Sequence, residues 1–301
     1  LLLLNNGCNL RCSFCDLWEH PEHMPMDTIP ELLNDAQRIG TKTVVITGGE
    51  PFLHPGLFEV IKQAKDCGLT VNVTTNGTLV ERHWEALIAS EVDSLSFSLD
   101  GIGEVHDDIR GQIGCFERTK KALQKVAAQT PIQCNVYFVV TNRNVHQLVD
   151  VFELAQQCGA GFDFWPVNDA EQMALKTEKE QDLWRKGVAQ IIRRDPSFAT
   201  RRQFYQDGLS YHQGDWDQQV RCLGFVDQYG VTYKGELLPC CVWQGKGLVK
   251  GNIFERSLHD LWFSEEIQRY RKELVEQGCS VGCFNHSLYE FTESTGLPFR
   301  M

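Results

Sequence analysis

The feature that most constrains the fold is an alternation of two periodicities over the first 168 residues. Short β-rich apolar runs at 1–4, 43–47, 70–74, 94–99, 133–140 and 161–167 are separated by stretches with helical spacing at 29–39, 57–66, 81–89, 116–128 and 145–157. Near-continuous apolar strands joined by helices bury both sheet faces most simply as βα units around parallel strands. Six such units predict an α/β fold, a partial (β/α)6 parallel barrel with its helices outside. Its site is expected at the C-terminal ends of the strands.

The pattern then changes. Residues 171–220 are polar and read as helices at 176–194 and 201–213, with no strand-like run. Beyond Cys222 come short strand pieces near Phe225, at 231–233 and at 236–238, with turns at Gly230 and Lys234-Gly235, then a helix at 265–276. The expected division is a barrel core at 1–170, a helical connector at 171–220 and a small cysteine-rich α+β module at 221–301. The sequence opens inside an apolar run too short for a signal-peptide core, so a short leader is expected to precede it.

Charge narrows the partners. A formal net charge of −11 disfavours nucleic acid, whose phosphates need a basic surface. No apolar run approaches the roughly 18 residues of a membrane span. Twelve cysteines occur without an export signal, so they read as metal ligands or catalytic groups in a reducing, cytoplasmic compartment rather than as disulfides. Three lie in the first 15 residues and five from Cys222 onward. Cys67, Cys115, Cys134 and Cys158 fall on helical or strand patterns and read as core.

Cys8-Asn-Leu-Arg-Cys12-Ser-Phe-Cys15 follows the first strand, on a loop opened by Asn6 and Gly7. Three thiolates within eight residues suit three corners of an iron–sulfur cubane. Three protein ligands also leave a coordination position open, the mark of a catalytic metal site. A zinc site completed by His20 or His23 is the alternative at this point. Gly48-Gly49-Glu50-Pro51 ends the second strand, Thr75-Asn76-Gly77 the third and Ser98-Leu99-Asp100-Gly101 the fourth. Each is ordinary turn chemistry when taken alone. Together they surround the place where the cysteine loop must lie.

CxxxCxφC, with Phe14 as φ, resembles the signature of the radical S-adenosylmethionine (SAM) superfamily. The resemblance implies a 4Fe-4S cluster on Cys8, Cys12 and Cys15 whose open iron binds SAM. One-electron reduction would then give a 5′-deoxyadenosyl radical that abstracts hydrogen from substrate. It further implies SAM contacts from Phe14, Gly48, Gly49, Glu50, Pro51, Thr75, Asn76, Ser98, Asp100, Asn142 and Val167. Arg110, in a His-x3-Arg-Gly stretch, would grip the SAM carboxylate. His106 of that stretch reads as a loop histidine and receives no role.

Cys222-x12-Gly235-x4-Cys240 resembles the opening of the SPASM and twitch modules, and Cys279-x3-Cys283 supplies two more cysteines. The resemblance implies one auxiliary 4Fe-4S cluster, as in the dehydrogenase that oxidises an aminocyclitol in butirosin biosynthesis. Four cysteines in two pairs also suit a zinc knuckle. The expected reaction is a two-electron oxidation of a polar small molecule such as an aminocyclitol or sugar alcohol, with a flavodoxin- or ferredoxin-type reductant. The rivals are epimerisation with Cys241 returning hydrogen, modification of a ribosomal peptide, and a zinc-stabilised binding protein without chemistry. No leader-binding domain is evident before Cys8, which argues against the peptide.

Overall fold

The computed structural model describes residues 1–19, 21–168, 170–214, 223–240 and 249–277. The expected alternation is present: β1 (Leu2–Asn5), α1 (Ile29–Arg38), β2 (Thr43–Gly48), α2 (Leu57–Asp66), β3 (Thr70–Thr75), α3 (Trp84–Ala89) and β4 (Ser94–Ser98). It continues through α4 (Glu104–Arg110), α5 (Cys115–Gln129), β5 (Gln133–Val140), α6 (Leu148–Gln157) and β6 (Gly161–Pro166). The six strands are parallel and stand in chain order across the sheet. This is the parallel-strand α/β architecture that the two periodicities call for.

The reason lies in burial on both faces. β1 is buried at all four positions, and Val71, Val73, Leu95, Phe97, Val136, Phe138 and Phe164 on its neighbours are almost inaccessible. A sheet this apolar is stable only beneath a layer of helices. α1 and α2 supply it with amphipathic faces that bury Leu32, Leu33, Ala36, Val60, Ile61 and Ala64.

Beyond the sheet, α7 (Glu178–Arg194) starts at a capping box between Thr177 and Glu180, and α8 (Arg202–Gln213) follows. Tyr205 of α8 stacks on Phe164 of β6 with ring centroids 4.4 Å apart, which fastens this helical pair to the edge strand. A hairpin, β7 (Gly230–Val231) and β8 (Leu237–Leu238), and the helices α9 (Leu258–Trp262) and α10 (Glu265–Glu276) complete the described chain. β7 runs parallel to β1 with Leu2 opposite Val231, and β8 returns antiparallel. The small module therefore extends the main sheet, in the order β6-β5-β4-β3-β2-β1-β7-β8. Because β8 runs back, Cys240 just past it lies toward the N-terminal end of β1, while the cysteine loop leaves the other end. Among the described residues no helix is long and apolar enough to cross a membrane.

Two expectations change. His106 lies in the helix α4 and is 1% exposed, not in a loop; Gly103 and Gly111 bound this short helix. α9, of five residues, also falls between the expected elements because its apolar signal spans barely one turn.

Candidate active site

β1 delivers the cysteine loop, and two neighbouring segments hold it. On one side, Gly49 N–H donates to Asn5 O (2.9 Å) and Glu50 N–H to Gly7 O (2.8 Å). The Asn5 amide donates to Gly7 O (3.2 Å) and Glu50 O (3.0 Å). Gly48 and Gly49 permit this approach. A Cβ on Gly48 (φ +136°) would stand 2.0 Å from Asn5 O, and one on Gly49 2.2 Å from Gly7 O. The glycines expected to admit a ligand thus also admit the loop's own backbone. On the other side, the last turn of α4 accepts Arg11 N–H at Arg110 O (3.3 Å) and Ser13 N–H at Ile109 O (2.8 Å).

Cys8, Cys12 and Cys15 are free thiols, each partly buried. Burial pushes the Cys8 thiol up to about 11 and raises Cys15 as well. Without a metal Cys8 and Cys15 keep their protons, so loading releases them. His23, a candidate fourth zinc ligand, packs edge-on against His54 at 5.3 Å, and His20 lies outside the described residues. Among the described residues no three His, Cys, Asp or Glu side chains converge on one ion. Zinc draws its donors to about 2.0–2.3 Å around a single centre. A four-iron cluster is larger and takes its thiolates at separate corners. Three partly buried free thiols on one loop are the donor set that three corners of such a cluster would take.

Around the loop, Glu50 is fully buried and accepts Phe52 N–H (3.1 Å), Thr75 Oγ1 (2.8 Å) and Asn76 N–H (2.8 Å). Burial lifts its pKa to about 7 against the pull of those donors. The carboxylate joins the ends of β2 and β3 beneath the cysteines. The Asn76 amide donates to Asn9 Oδ1 (2.9 Å) and lies 4.0 Å from Cys8 Sγ, while Asn9 reaches Thr78 (2.9 Å). Ser98, at the end of β4, is partly buried, and Pro51 opens a short buried turn after Glu50.

Arg110 is buried between two partners. Its Nη2 pairs with Asp100 Oδ2 at 2.5 Å and its Nη1 stands 3.9 Å from Cys12 Sγ. Burial opposes the charge, but Asp100 and Cys12 outweigh it and hold the guanidinium protonated. Arg110 Nε is buried without a hydrogen-bond partner among the described residues, a donor left over at the edge of the cysteine site. Phe14 lies under the guanidinium at 5.6 Å.

Phe14 also joins a small apolar wall with Val139, Val167, Ala170 and Met173. Ser13 Oγ contacts Met173 Sδ at 3.8 Å, so this wall stands directly against the loop. Asn142 lies beside it, bonded to Met173 O through its N–H (2.9 Å) and to Gln172 O through its amide (3.1 Å). Behind the wall is a cleft of about 700 Å³ at the end of β6. Buried Val167, Ala170 and Ala174 line it together with exposed Glu171, Lys176 and Gln213.

His212 of α8 closes one side of the cleft. Its Nδ1 accepts Leu175 N–H at 3.0 Å and its Nε2 lies 3.2 Å from Val167 O. Burial lowers its pKa to about 4, and these contacts suit a neutral ring. Met173 and His212 escaped the reading from sequence, since neither lies in a motif. His106 and Arg110 carried a readable signal, the i, i+4 spacing of one helix face.

Of the cysteines expected to hold an auxiliary cluster, Cys240 is described and buried, whereas Cys222, Cys279 and Cys283 lie outside the described residues, as does Cys241.

The cysteine loop, the three strand ends beside it and the module continuing the sheet define a class of redox enzyme, and comparison identifies it. The radical SAM superfamily profile matches residues 2–155, so the chain belongs to that superfamily, and the SPASM iron–sulfur cluster-binding domain matches residues 222–284. The AdoMet-dependent heme synthase of Methanosarcina barkeri is 28% identical over 91% of this chain and 84% of its own length. The antilisterial bacteriocin subtilosin biosynthesis protein AlbA of Bacillus subtilis is 31% identical over 93% of this chain and 66% of its own. Streptococcus suis SuiB bound to S-adenosylmethionine shares the fold with a TM-score of 0.70 at 18% identity, covering 100% of this chain and 75% of that one. SAM and iron–sulfur clusters are accordingly the cofactors of this chain.

Proposed function

We propose that this radical SAM enzyme oxidises a peptide-like substrate that docks in the cleft at the end of β6, beside the cysteine loop. The observation that carries the reading is the position of that cleft. One apolar layer of Phe14, Val167 and Met173 separates it from the loop, and its rim is polar, with Lys176 paired to Glu171 at 2.7 Å. The likeness to a bacteriocin biosynthesis protein supports a peptide in that place. The aminocyclitol or sugar alcohol expected from sequence finds no such support among the relatives, which bear the names of heme synthases, GTP cyclases and the subtilosin protein.

In this reading Cys8, Cys12 and Cys15 hold the SAM-cleaving cluster, and Cys222, Cys240, Cys279 and Cys283 an auxiliary one. When bound, these clusters and SAM supply the hydrogen-abstracting radical and an acceptor for the electron that the substrate gives up. The chain does the rest. The ends of β2, β3 and β4, with Gly48, Gly49, Pro51, Thr75, Asn76 and Ser98, form the ledge on which SAM would lie. Glu50 and Asp100 brace that ledge from beneath, and Arg110 offers its spare Nε at the edge. Asn142 and Val167 bound the side toward the cleft, and the apolar wall shields the site from solvent and limits side reactions there. A flavodoxin- or ferredoxin-type protein in the cytoplasm would be the electron source.

Anaerobic reconstitution tests this. About eight irons per chain are expected for two 4Fe-4S clusters, with SAM- and dithionite-dependent release of 5′-deoxyadenosine. Cys8→Ser, Cys12→Ser or Cys15→Ser should each remove about half the iron and all of that release. Stimulation by peptides encoded beside the gene, but not by aminocyclitols, supports the substrate; the reverse, or two zincs per chain, refutes the reading. Turnover in D2O separates oxidation from epimerisation: solvent deuterium in the product, lost in Cys241→Ala, would establish epimerisation.

A further inference from the structure

His106 sits behind Asp100, at the root of the contacts that reach Cys12. It is 1% exposed, its Nδ1 accepts Asp100 N–H at 3.0 Å, and its ring lies edge-on to Phe116. Asp100 is fully buried and held at three further points. Its Oδ1 accepts Val139 N–H (2.8 Å), its carbonyl accepts the Asn144 amide (3.0 Å), and its Oδ2 pairs with Arg110 (2.5 Å). Arg110, one turn after His106 on α4, carries the chain of contacts to Cys12 Sγ. In that chain the helix supplies both the residue that holds the Asp100 backbone and the residue that the Asp100 carboxylate aims.

We propose that His106 is a positioning residue for the SAM-cleaving cluster: it fixes Asp100, Asp100 aims Arg110 at Cys12, and the aimed charge raises the cluster's reduction potential. This rests on the reading that Cys8, Cys12 and Cys15 hold that cluster. The physical ground is general. Iron–sulfur potentials follow net charge and hydrogen bonding at the sulfurs, and groups one step behind the ligands orient what the ligands feel. A cation held against a thiolate favours the reduced, more negative state. His106 acts only through Arg110, so its effect should vanish when Arg110 is absent.

The test uses the full chain, reconstituted anaerobically, in five forms: wild type, His106→Leu, His106→Asn, Arg110→Gln and the double variant His106→Leu/Arg110→Gln. The cluster is followed by the low-temperature EPR signal that SAM perturbs, titrated for its midpoint, and by the rate of iron loss to a chelator. His106→Leu should move the midpoint negative and speed iron loss roughly tenfold. His106→Asn, whose Oδ1 stands near the place of Nδ1, should restore both. The double variant His106→Leu/Arg110→Gln should match Arg110→Gln alone, the signature of one pathway. Additive shifts, a His106→Leu protein with wild-type midpoint and iron loss, or an Asn variant that behaves as Leu would each overturn the proposal. Should His106→Leu fail to fold, the comparison of His106→Asn with Arg110→Gln carries the test: an Asn midpoint displaced as far as that of Gln overturns it. A wild-type protein lacking any SAM-responsive cluster would instead refute the reading of the cysteine loop, and this proposal with it.

Discussion

Replacing Gly49 by alanine places one methyl group in the tightest contact of the site. Its Cβ would stand 2.2 Å from Gly7 O and 2.5 Å from Asn6 O, both backbone atoms that no rotamer can move aside. Two bonds depend on that approach, Gly49 N–H to Asn5 O and Glu50 N–H to Gly7 O. Overpacking costs about 1–3 kcal/mol, and each weakened bond about 0.5–1.5 kcal/mol. The expected loss is therefore about 2–6 kcal/mol, or on the order of 3–10 °C in Tm for a chain of this size. Gly40→Ala is the control. Gly40 has φ +93° but nothing within 4 Å of its Cβ, so it incurs backbone strain of about 1–2 kcal/mol without a clash. Thermal unfolding and iron per chain should both separate the two variants, with Gly49→Ala losing cluster iron and Gly40→Ala keeping it. A Gly49→Ala protein as stable and iron-replete as Gly40→Ala would refute the claim that backbone contact between β2 and the loop shapes the site.

Two more outcomes follow from buried carboxylates. In the iron-free protein, Glu50 is lifted from its ordinary 4.5 to about 7, so the folded state holds this proton more tightly than the unfolded chain. Its contribution to stability is full below about pH 4.5 and lost as pH rises through about 7, on the order of 3 kcal/mol. Urea midpoints at pH 5 and pH 8 should diverge in the wild type and draw together in Glu50→Gln; equal divergence in both would exclude Glu50 as the source. Asp35, 3% exposed on α1, accepts His259 N–H (2.9 Å) at the start of α9. Asp35→Ala should cost about 1–2 kcal/mol as a lost cap, with faster amide hydrogen exchange in α9, and unchanged exchange there would refute the link.

The barrel was legible because its strands are apolar on both faces, so period and length agreed along the chain. The ends of β2, β5, α2 and α10 fall within a residue of their patterns, as for β5 at Gln133–Val140 and α10 at Glu265–Glu276. α4 was hidden because it is one short helix of seven residues whose buried face, His106, Ile109 and Arg110, has a single apolar residue, too little for hydropathy to register. The cysteines and strand-end glycines could be named from spacing, since their chemistry is local. What spacing could not show is partnership. That Arg110 meets Asp100 and Cys12, or that His212 bonds to both Val167 and the backbone of Leu175, depends on elements brought together only by folding.

The place of β1 has a mechanical consequence. One four-residue strand carries the cysteine loop at its end and the hairpin leading to Cys240 along its flank. At roughly 3.3 Å per residue, it acts as a ruler of about 13 Å, clamped by ladder bonds on both edges. The two places assigned to clusters under the proposed function are thus spaced by a taut segment of sheet and not by a tether whose length fluctuates. A slip of one residue along that ruler would turn its side chains to the wrong face, and both ends would register the error together.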